Sequence, residues 1–371
     1  MSTAPTLALP EWATWRPPES ARPWSVRLSE DVMLVDPDRH VLAGLHDDAA
    51  MACVLQLTTS WHATVAGAAA EAGLLRGELL TSLWTRHGLK AIATGVHPWS
   101  ECPTPAPGGV RPRKATEFSG ILGRLDPTCG LRIDVAVPSA DIAVLALDGL
   151  RPHLPLLLAL SANSPFWRGR YAGLASTRTL LRSTLPSIGP PRSFGSFRAY
   201  VEILDSMMRS RIIPSASAVH WDACLRPDLG AVSVSVMDAQ ARVDDLAGLI
   251  ALVQCLVRLH AGGHVAQIPV IPEILNENRL DAARKGMRAE LIDPGGHFRQ
   301  PASAELSMLV DACAPVARVL DCSRELPHVL ETAADPGHAR QRALASTGGL
   351  KGLVATLIDE FAERRLALAG A

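Results

Sequence analysis

Two residues on one predicted strand have the types and the spacing that chemistry requires. The run CGLRIDVAV (129–137) alternates apolar and polar residues, so Arg132 and Asp134 share one face and the apolar residues the other. Asp134 could act as an acid or base while Arg132 binds a substrate carboxylate or phosphate. The two side chains could instead form an internal ion pair, because buried charges are tolerated mainly when they are paired. Either interpretation predicts that this strand borders the functional site.

A second candidate is the run HWDAC (220–224), in which His220, Asp222 and Cys224 are spaced two residues apart. Strand alternation would place the three side chains on one face, as a thiol nucleophile with a base or as three metal ligands. A free cysteine is also a common small and buried residue. We interpret Cys224 as inert.

Alternation with period two predicts the strands that carry these residues, at 24–36, 129–137 and 231–237. In the third strand Ser233 and Ser235 share a face, where they could hydrogen-bond a ligand or serve as small neutral fillers. Helical patterns fill most of the remaining chain, at 61–88, 139–162, 196–212, 241–262, 276–289, 303–320 and 348–368. This interleaving predicts an α+β protein with one mixed sheet and helices packed on its outer face.

Composition and charge exclude several classes of protein. The chain has 371 residues, 48% of them hydrophobic, and 36 Lys and Arg against 37 Asp and Glu, a net charge of −1. A balanced charge lacks the basic surface that binds nucleic acid or an anionic membrane, so we expect neither partner. The chain also lacks the roughly 18 consecutive uncharged apolar residues of a membrane span. Its seven cysteines are scattered without a CxxC pair, and we expect reduced thiols in a cytoplasmic protein.

The start of the chain differs in composition from the rest. The first 25 residues are rich in Pro, Ala and Trp, and they lack the basic start and apolar run of a signal peptide. We predict a flexible leader over residues 1–24. Residues 25–371 show no internal repeat and no break in composition, and they predict a single domain.

Residues 155–195 (PLLLALSANSPFWRGRYAGLASTRTLLRSTLPSIGPPRSFG) closely resemble the signature of carboxylate-amine ligases related to type-2 glutamate–cysteine ligases. MLVDP (33–37), GVHP (95–98), VMDAQ (236–240) and RQRAL (340–344) follow the order expected of that family. The resemblance implies a glutamine-synthetase-like fold, in which a curved, mainly antiparallel sheet forms a funnel with helices outside. It also implies that the γ-carboxylate of glutamate, or of a related acid, is joined to an amine through an acyl phosphate made from ATP. Carboxylates would hold the Mg²⁺ ions that neutralise the triphosphate, and cationic side chains would hold the transferring phosphoryl group.

The chain departs from the family pattern at inward-facing strand positions. RLSEDV (27–32) stands where the family typically has GxExEF, which leaves Ser29 and Asp31 facing inward. Gln56 stands where the second strand of the family has a glutamate. The other replacements are Arg132 and Asp134 for two histidines, Cys224 for an arginine, Ser233 for a glutamate, Ser235 for an arginine and Asp281 for a basic residue. The apolar alternate positions survive, whereas random decay should damage both faces, so we predict that the fold is kept and the ATP–Mg²⁺ site is lost.

These replacements, together with polar residues retained from the family pattern, define the predicted site. We predict Asp31, Arg132 and Asp134 as catalytic candidates, and no metal site. The residues expected around a substrate or nucleotide cleft are Ser29, Gln56, Asn163, Arg178, Cys224, Ser233, Ser235 and Arg284. Asn163 could equally cap the 139–162 helix, and we expect His97 to support the loop after its strand.

Three functions are compatible with these residues. The first is a non-catalytic binding or partner subunit with a small carboxylate ligand, forming a homodimer or a heteromer with an intact ligase relative or a pathway enzyme. The second is a repurposed enzyme of the same fold in a biosynthetic pathway, using Arg132 and Asp134 on a different or pre-activated acyl substrate. The third is residual ATP-dependent carboxylate-amine ligation with ATP and Mg²⁺, using Asp31 and Glu30 in a shifted register. Loss of the metal and phosphate groups favours the first.

Overall fold

The computed structural model describes residues 9–47, 50–101, 127–183, 187–262 and 270–363. Its strands are β1 (Val26–Asp36), β2 (Val41–Leu42), β3 (Leu45–Asp47), β4 (Ala50–Ala52), β5 (Val54–Thr58), β6 (Lys90–Ile92), β7 (Leu131–Ala136), β8 (Phe166–Trp167), β9 (Arg170–Tyr171), β10 (Ile188–Gly189), β11 (His220–Trp221), β12 (Ala223–Arg226), β13 (Ala231–Val234), β14 (Glu290–Ile292) and β15 (Arg299–Pro301). Its helices are α1 (Val65–His87), α2 (Ala140–Leu150), α3 (Leu154–Ser161), α4 (Thr177–Arg182), α5 (Phe197–Arg209), α6 (Val243–Ala261), α7 (Pro272–Lys285), α8 (Ala302–Val319), α9 (His328–Ala334) and α10 (Gly337–Ala362).

An open antiparallel sheet forms the centre of the described fold. Its strand order is β12-β13-β7-β1-β2, and β5 and β6 also pair with β1. β1 can hold four partners because it is 11 residues long: β7 and β5 pair with its first and middle parts, and β6 and β2 with its end. The predicted α+β class, with a mainly antiparallel sheet and helices on its outside, is confirmed.

The helix-facing side of the sheet is apolar because every second strand residue is aliphatic. Leu28, Ile133 and Val232 are at most 1% exposed, and they join one cluster with residues of α1, α2 and α6. Burying a side chain of this size contributes roughly 2 kcal/mol relative to leaving it in water. The apolar face therefore anchors the strands, and the opposite face is left to carry polar side chains.

The segment Ala140–Ser161 is the most apolar part of the helical layer. Within the described ranges it has the length and composition of a membrane span, but 78% of that window is buried inside the fold. It is two helices, α2 and α3, rather than the predicted single one. Pro152 lies in the 3₁₀ turn Arg151–His153 that joins them, and Pro155 is the second residue of α3. Packing in the core accounts for the apolar composition of this segment.

Local capping sets the ends of several helices. The Thr64 side chain accepts a hydrogen bond at the start of α1, and Gly88 ends that helix in the left-handed conformation with φ 65°. α7 begins at Pro272, four residues before the predicted start, because proline is favoured in a first helical turn. α10 begins at Gly337 rather than 348, and it is interrupted at Gly349, where φ is 65°. The helix predicted at 348–368 covers only the part of α10 after this break.

Residues 9–24, which belong to the predicted leader, contact the rest of the fold, and their flexibility stays a prediction. Trp12 Nε1 donates to Asp205 Oδ1 at 3.0 Å, and Trp15 Nε1 donates to the Val137 carbonyl at 3.0 Å. Ala13 is fully buried between them. Residues 1–8 of the predicted leader lie outside the described ranges.

The sequence predicts that all cysteines are reduced thiols, and the structure differs at one of them. Cys53 is disulfide-bonded. The free thiols in the described part of the chain are Cys129, Cys224, Cys255, Cys313 and Cys322. The expectation of reduced cysteines is therefore wrong for Cys53, and cytoplasmic localisation stays a prediction.

Candidate functional site

The register of the sheet assembles a row of side chains from four strands. Arg27 of β1 pairs with Asp134 of β7, Asp134 pairs with Ser233 of β13, and Ser233 pairs with Cys224 of β12. Since residues that face each other across strands point to the same side, these four lie on the side away from the helices. We call this side the polar face and extend the name to residues at alternate positions of the same strands: Ser29, Asp31 and Arg132.

The charge at the centre of the polar face is Asp134, whose side chain is fully buried. Its Oδ2 accepts hydrogen bonds from Arg27 Nη2 at 2.8 Å and Arg27 Nε at 3.2 Å. Arg132 Nε lies 3.7 Å from Asp134 Oδ1, within ion-pair range but too far for a hydrogen bond, and both of these buried atoms lack a hydrogen-bond partner. The principal partner of Asp134 is therefore Arg27 of the neighbouring strand, and Arg132 of its own strand is a secondary one.

Arg132 hydrogen-bonds to Ser29, which lies in the next row of the polar face. Its Nη2 donates to Ser29 Oγ at 2.9 Å, and Thr58 Oγ1 donates to the same oxygen at 3.1 Å. About a third of the Arg132 side chain is exposed, at 29%. A guanidinium has five N–H donors, so Ser29 and Asp134 leave donors available to a ligand.

Asp31 forms the third row with Gln56 and Gly130. Gln56 Nε2 donates to Asp31 Oδ1 at 3.0 Å, and the Gly130 amide donates to Asp31 Oδ2 at 3.2 Å. Both carboxylate oxygens thus have a neutral donor. The sequence had placed Ser29, Asp31 and Gln56 on one side of the sheet, and the structure brings them together there.

The HWDAC run does not form a nucleophile or a metal site. His220 lies on β11, which pairs with β10 apart from the central sheet, and its side chain is exposed. Asp222 is bound to Arg279, whose Nε donates to Asp222 Oδ2 at 2.7 Å. Cys224 alone lies on the polar face, where burial raises the pKa of its thiol to about 12. A thiol protonated at neutral pH is a poor nucleophile, which agrees with the interpretation of Cys224 as inert.

Asn163 and Arg178 belong to a buried network rather than to an open cleft. Asn163 Nδ2 donates to the Ala239 carbonyl at 2.8 Å, and its Oδ1 accepts from Gln341 Nε2 at 2.8 Å. Arg178 donates to the carbonyls of residues 235 and 236 and pairs with Asp238 at 3.6 Å. Burial raises the pKa of Asp238, and the nearby Arg178 lowers it by a smaller amount. The assignment of Asn163 to the cleft is corrected, because protein groups use all of its polar atoms.

Ser233 and Ser235 have different surroundings. Ser233 is buried beside Asp134 on the polar face. Ser235 lies just beyond β13, where its hydroxyl donates to the Trp221 carbonyl at 3.1 Å. Arg284 is exposed on α7, and no described contact links it to the polar face, so the structure gives no support to its predicted cleft role.

The structure adds two arginines that the sequence analysis missed. Arg27 could have been found, since it precedes Ser29 by two residues on the same strand and must share its face. Arg182, at the end of α4, makes no hydrogen bond or ion pair within the described ranges, and burial lowers its pKa to about 10, with neighbouring Arg178 acting in the same direction. The charges of Asp222 and Asp31 raise the pKa of Arg182 and so act in the opposite direction. Only the packing of α4 could reveal this.

Glu30 faces away from the polar face, which corrects its proposed use in a shifted register. Arg76 of α1 donates to both Glu30 oxygens, at 2.9 and 2.6 Å, and also to the carbonyls of residues 240 and 241. Both side chains are almost completely buried. Glu30 therefore ties the sheet to α1 and has no capacity left for a metal ion.

His97 is a structural residue. Its Nδ1 accepts from the backbone amide of Ser100 at 2.9 Å and from that of Trp99 at 3.3 Å. Burial lowers the pKa of His97 to about 3, so the ring is neutral. This supports the loop role predicted for it.

The polar-face donors fit Mg²⁺ and ATP poorly. Mg²⁺ binds protein through carboxylates in an octahedral oxygen set. Of the acidic groups on the polar face, Asp134 is held by Arg27, and Asp31 has donors at both oxygens. Within the described ranges, no three Asp, Glu, His or Cys side chains are grouped closely enough to hold a metal ion.

The overall architecture matches a solved ligase. The structure of glutamate–cysteine ligase from Francisella tularensis in complex with AMP superimposes with a TM-score of 0.67 over 93% of this chain and 90% of that one, at 14% sequence identity. An identity this low shows the fold alone. The fold class is thus the glutamine-synthetase-like one of carboxylate-amine ligases, with the sheet left open.

Sequence comparison defines the family. The pattern of glutamate–cysteine ligase family 2 matches residues 15–360. A Rubrobacter xylanophilus protein, assigned by name as glutamate–cysteine ligase 2-3, is 35% identical over 92% of this chain and 98% of its own. A Gloeobacter violaceus protein, assigned by name as glutamate–cysteine ligase 2, is 32% identical over 76% of each chain. The chain belongs to glutamate–cysteine ligase family 2.

Proposed function

We propose that this chain is a binding subunit of the ligase fold that does not carry out Mg²⁺-ATP-dependent ligation, and that its polar face binds a small carboxylate. The observation that carries the proposal is the Arg27–Asp134–Arg132 cluster on β1 and β7. It occupies strand positions at which the sequence departs from the ligase pattern. A cluster that neutralises its own carboxylate attracts a divalent cation weakly.

The exposed part of Arg132 supports an anionic ligand. Nε is buried and faces Asp134, and Nη2 donates one hydrogen bond to Ser29 Oγ, so the other N–H groups at the exposed end of the guanidinium are unused. A carboxylate matches the paired N–H groups of arginine in geometry and charge. The ligand carboxylate would thereby accept hydrogen bonds from the Arg132 donors that no protein group uses.

The first test is isothermal titration of ATP with MgCl₂ into the full chain, with circular dichroism to verify that the sample is folded. We expect no binding in the micromolar range. Micromolar ATP binding that requires Mg²⁺ would contradict the proposal, and so would ADP release with a panel of acids and amines.

The second test uses L-glutamate as the probe and L-glutamine as its neutral counterpart. Arg132→Met should weaken glutamate binding by at least about tenfold, since a charged hydrogen-bond pair contributes about 1.5–3 kcal/mol. Arg198→Met removes an exposed arginine of α5, outside the polar face, and serves as the matched control. Equal binding of glutamate to both variants would argue against the Arg132 site.

We also propose a partner role, as a homodimer or as a heteromer with an intact ligase relative or a pathway enzyme. This role suits a chain that keeps the ligase fold while residues of the ligation site are replaced. Sedimentation of the chain alone, and mixed with an intact family member encoded in the same genome, tests the proposal. Sedimentation as a monomer in both samples would refute it.

A repurposed enzyme is the second candidate, and one observation favours it. Asp134 Oδ1 is buried, has no hydrogen-bond partner and lies 3.7 Å from Arg132 Nε, so a reacting group could use it. The firm hold of Arg27 on the other oxygen makes Asp134 better suited to binding than to proton transfer. If Ala substitutions at both Arg132 and Asp134 leave the cellular product unchanged, this candidate fails.

A further inference from the structure

A second candidate site lies among the helices, apart from the polar face. A cavity of about 230 Å³ opens between the turn after α2, the helices α7 and α8, and the β14–β15 hairpin. None of the polar-face residues lines it. Its walls are mostly apolar, and they include Leu275, Ile292, Met308 and Leu309. A water molecule takes about 30 Å³ of liquid, so the space suits a molecule of about eight non-hydrogen atoms.

The polar groups of the cavity converge at one end. Glu305 is the one carboxylate among the described lining residues, and Glu305 Oε1 lies 3.9 Å from His153 Nδ1. That nitrogen is buried and has no hydrogen-bond partner. The amide of Asn278 is already used, because it both donates to and accepts from the backbone of Ile292. Gln300 donates to the other Glu305 oxygen at 3.4 Å.

Next to Glu305, two histidine rings share one proton between their Nε2 atoms. His153 Nε2 and His260 Nε2 lie 3.2 Å apart, so one ring donates and the other accepts. Burial and the proximity of His153 lower the pKa of His260 to about 4, which keeps that ring neutral at pH 7. When His153 donates through Nε2, its Nδ1 becomes an acceptor that faces the carboxylate of Glu305. In that tautomer two acceptors face one gap without a donor, and a ligand with N–H donors would select it over the tautomer in which His153 Nδ1 carries the proton toward Glu305.

We propose that this cavity binds an organic ammonium ion with an apolar body, its nitrogen donating to Glu305 Oε1 and His153 Nδ1. An ammonium group offers three donors and no acceptor, and it compensates the single negative charge of the lining. The apolar walls take the hydrocarbon part. A metal ion is a poorer match, because the cavity supplies one carboxylate and one imidazole.

Benzylammonium is a suitable probe, since it has eight non-hydrogen atoms and an apolar ring. Isothermal titration into the full chain should give a dissociation constant on the order of 1 mM or lower, as is typical of ligands this small. Benzyl alcohol, which has nearly the same shape and no charge, should bind at least about tenfold more weakly. Glu305→Gln keeps the shape of the side chain and should also weaken benzylammonium binding at least about tenfold.

Glu277→Gln is the matched control, because it removes an exposed carboxylate from α7 next to Asn278. It should leave benzylammonium binding unchanged, and thermal melting should verify that both variants are folded. The proposal is overturned if benzylammonium does not bind in the millimolar range, if benzyl alcohol binds equally well, or if Glu305→Gln binds benzylammonium like the unaltered chain.

Discussion

Single side chains on the polar face are paired across strands. Asp134 is fully buried and relies on Arg27, which is contributed by β1 and also lies 5.2 Å from the Trp61 ring. A buried charge that loses its partner is strongly destabilising, whereas a pair removed together is often tolerated. The same logic applies to Glu30 and Arg76 on the opposite side of the sheet.

Arg27→Met should lower the free energy of unfolding by about 3 kcal/mol, because Asp134 then keeps only a partner at 3.7 Å. Adding Asp134→Asn should recover much of this loss, since the uncompensated charge disappears. Urea denaturation of the single and double variants measures both effects. Arg198→Met, in an exposed pair with Glu202, should cost about 0.5 kcal/mol or less. Equal losses for Arg27→Met and Arg198→Met would contradict the ion-pair argument.

Glu30→Gln should cost about 3 kcal/mol or more, because it leaves the guanidinium of Arg76 buried and without a counter-ion. The carbonyls of residues 240 and 241 and the Phe361 ring remain around that guanidinium, but they carry no charge. Guanidinium chloride denaturation of this variant, beside Glu202→Gln on the surface, checks the difference. A loss below about 1 kcal/mol would mean that Glu30 is not the essential partner.

At the scale of elements, close helix packing depends on residues that lack a side chain. α2 passes α6 at Gly149, where an added Cβ would lie 2.4 Å from His260 Nδ1. Gly73 in α1 faces open space, with no atom within 4 Å of such a Cβ. An added Cβ would therefore clash at Gly149 and find open space at Gly73.

Gly149→Ala should destabilise the protein by about 2 kcal/mol, since either the two helices or the His260 ring must move. Gly73→Ala should stabilise it by about 0.5–1 kcal/mol, because alanine has the higher helix propensity. Thermal unfolding of both variants gives the comparison. If both substitutions stabilise, the contact between α2 and α6 is looser than described.

For the molecule as a whole, three buried neutral histidines link stability to pH. Burial lowers the pKa of His97 to about 3, and those of His260 and His338 to about 4, from an ordinary value of 6.5. Below pH 6.5 the unfolded chain binds more protons than the folded one, so stability is full above this pH and falls as the pH drops. The raised pKa of Asp238 acts in the opposite direction at acidic pH.

We expect unfolding free energy to decrease between pH 6.5 and pH 5 by about 1 kcal/mol per pH unit for each of these histidines. His97→Asn keeps an acceptor for the Ser100 amide but does not titrate, so it should flatten the slope by about one histidine's share. Denaturant titrations at pH 7, 6 and 5 measure both slopes. Identical slopes for the variant and the unaltered chain would exclude His97 as a contributor.

The described part of the leader should contribute to global stability. Trp15→Ala removes a ring packed edge-on against Phe197, at a centroid distance of 6.0 Å, and the hydrogen bond to the Val137 carbonyl. We expect a loss of about 2–3 kcal/mol in urea denaturation. Trp84→Ala removes a tryptophan that is 54% exposed and should cost less than about 1 kcal/mol. A negligible effect of Trp15→Ala would support the prediction of a flexible leader.

Local patterns in the sequence predicted three strands of the central sheet and several of the long helices. Alternation located β1, β7 and β13, and helical periodicity located α1, α5, α6, α7 and α8 to within four residues, because both patterns arise from near neighbours along the chain. The short helices α4 and α9 had no predicted counterpart. The family signature at 155–195 carried the fold class and the family, both of which the comparisons confirm. Three boundaries differ from the prediction: a 3₁₀ turn with Pro152 divides the 139–162 helix, Pro272 begins α7, and α10 extends back to Gly337 across the break at Gly349.

The sequence by itself placed Ser29, Asp31, Arg132, Asp134 and Ser233 on the polar face, since alternation in an extended strand leaves a side chain only two directions. It did not show where the strands end, and His220, Asp222 and Ser235 therefore lie elsewhere. The tertiary structure alone decided which of them are partners. Asp134 hydrogen-bonds to Arg27 and has only a longer ion pair with Arg132. Outside the polar face, Asp222 binds Arg279, and Asn163 is enclosed in the core. Each of these hydrogen bonds joins residues distant along the chain, and its formation depends on strand register and helix packing, which no local pattern encodes.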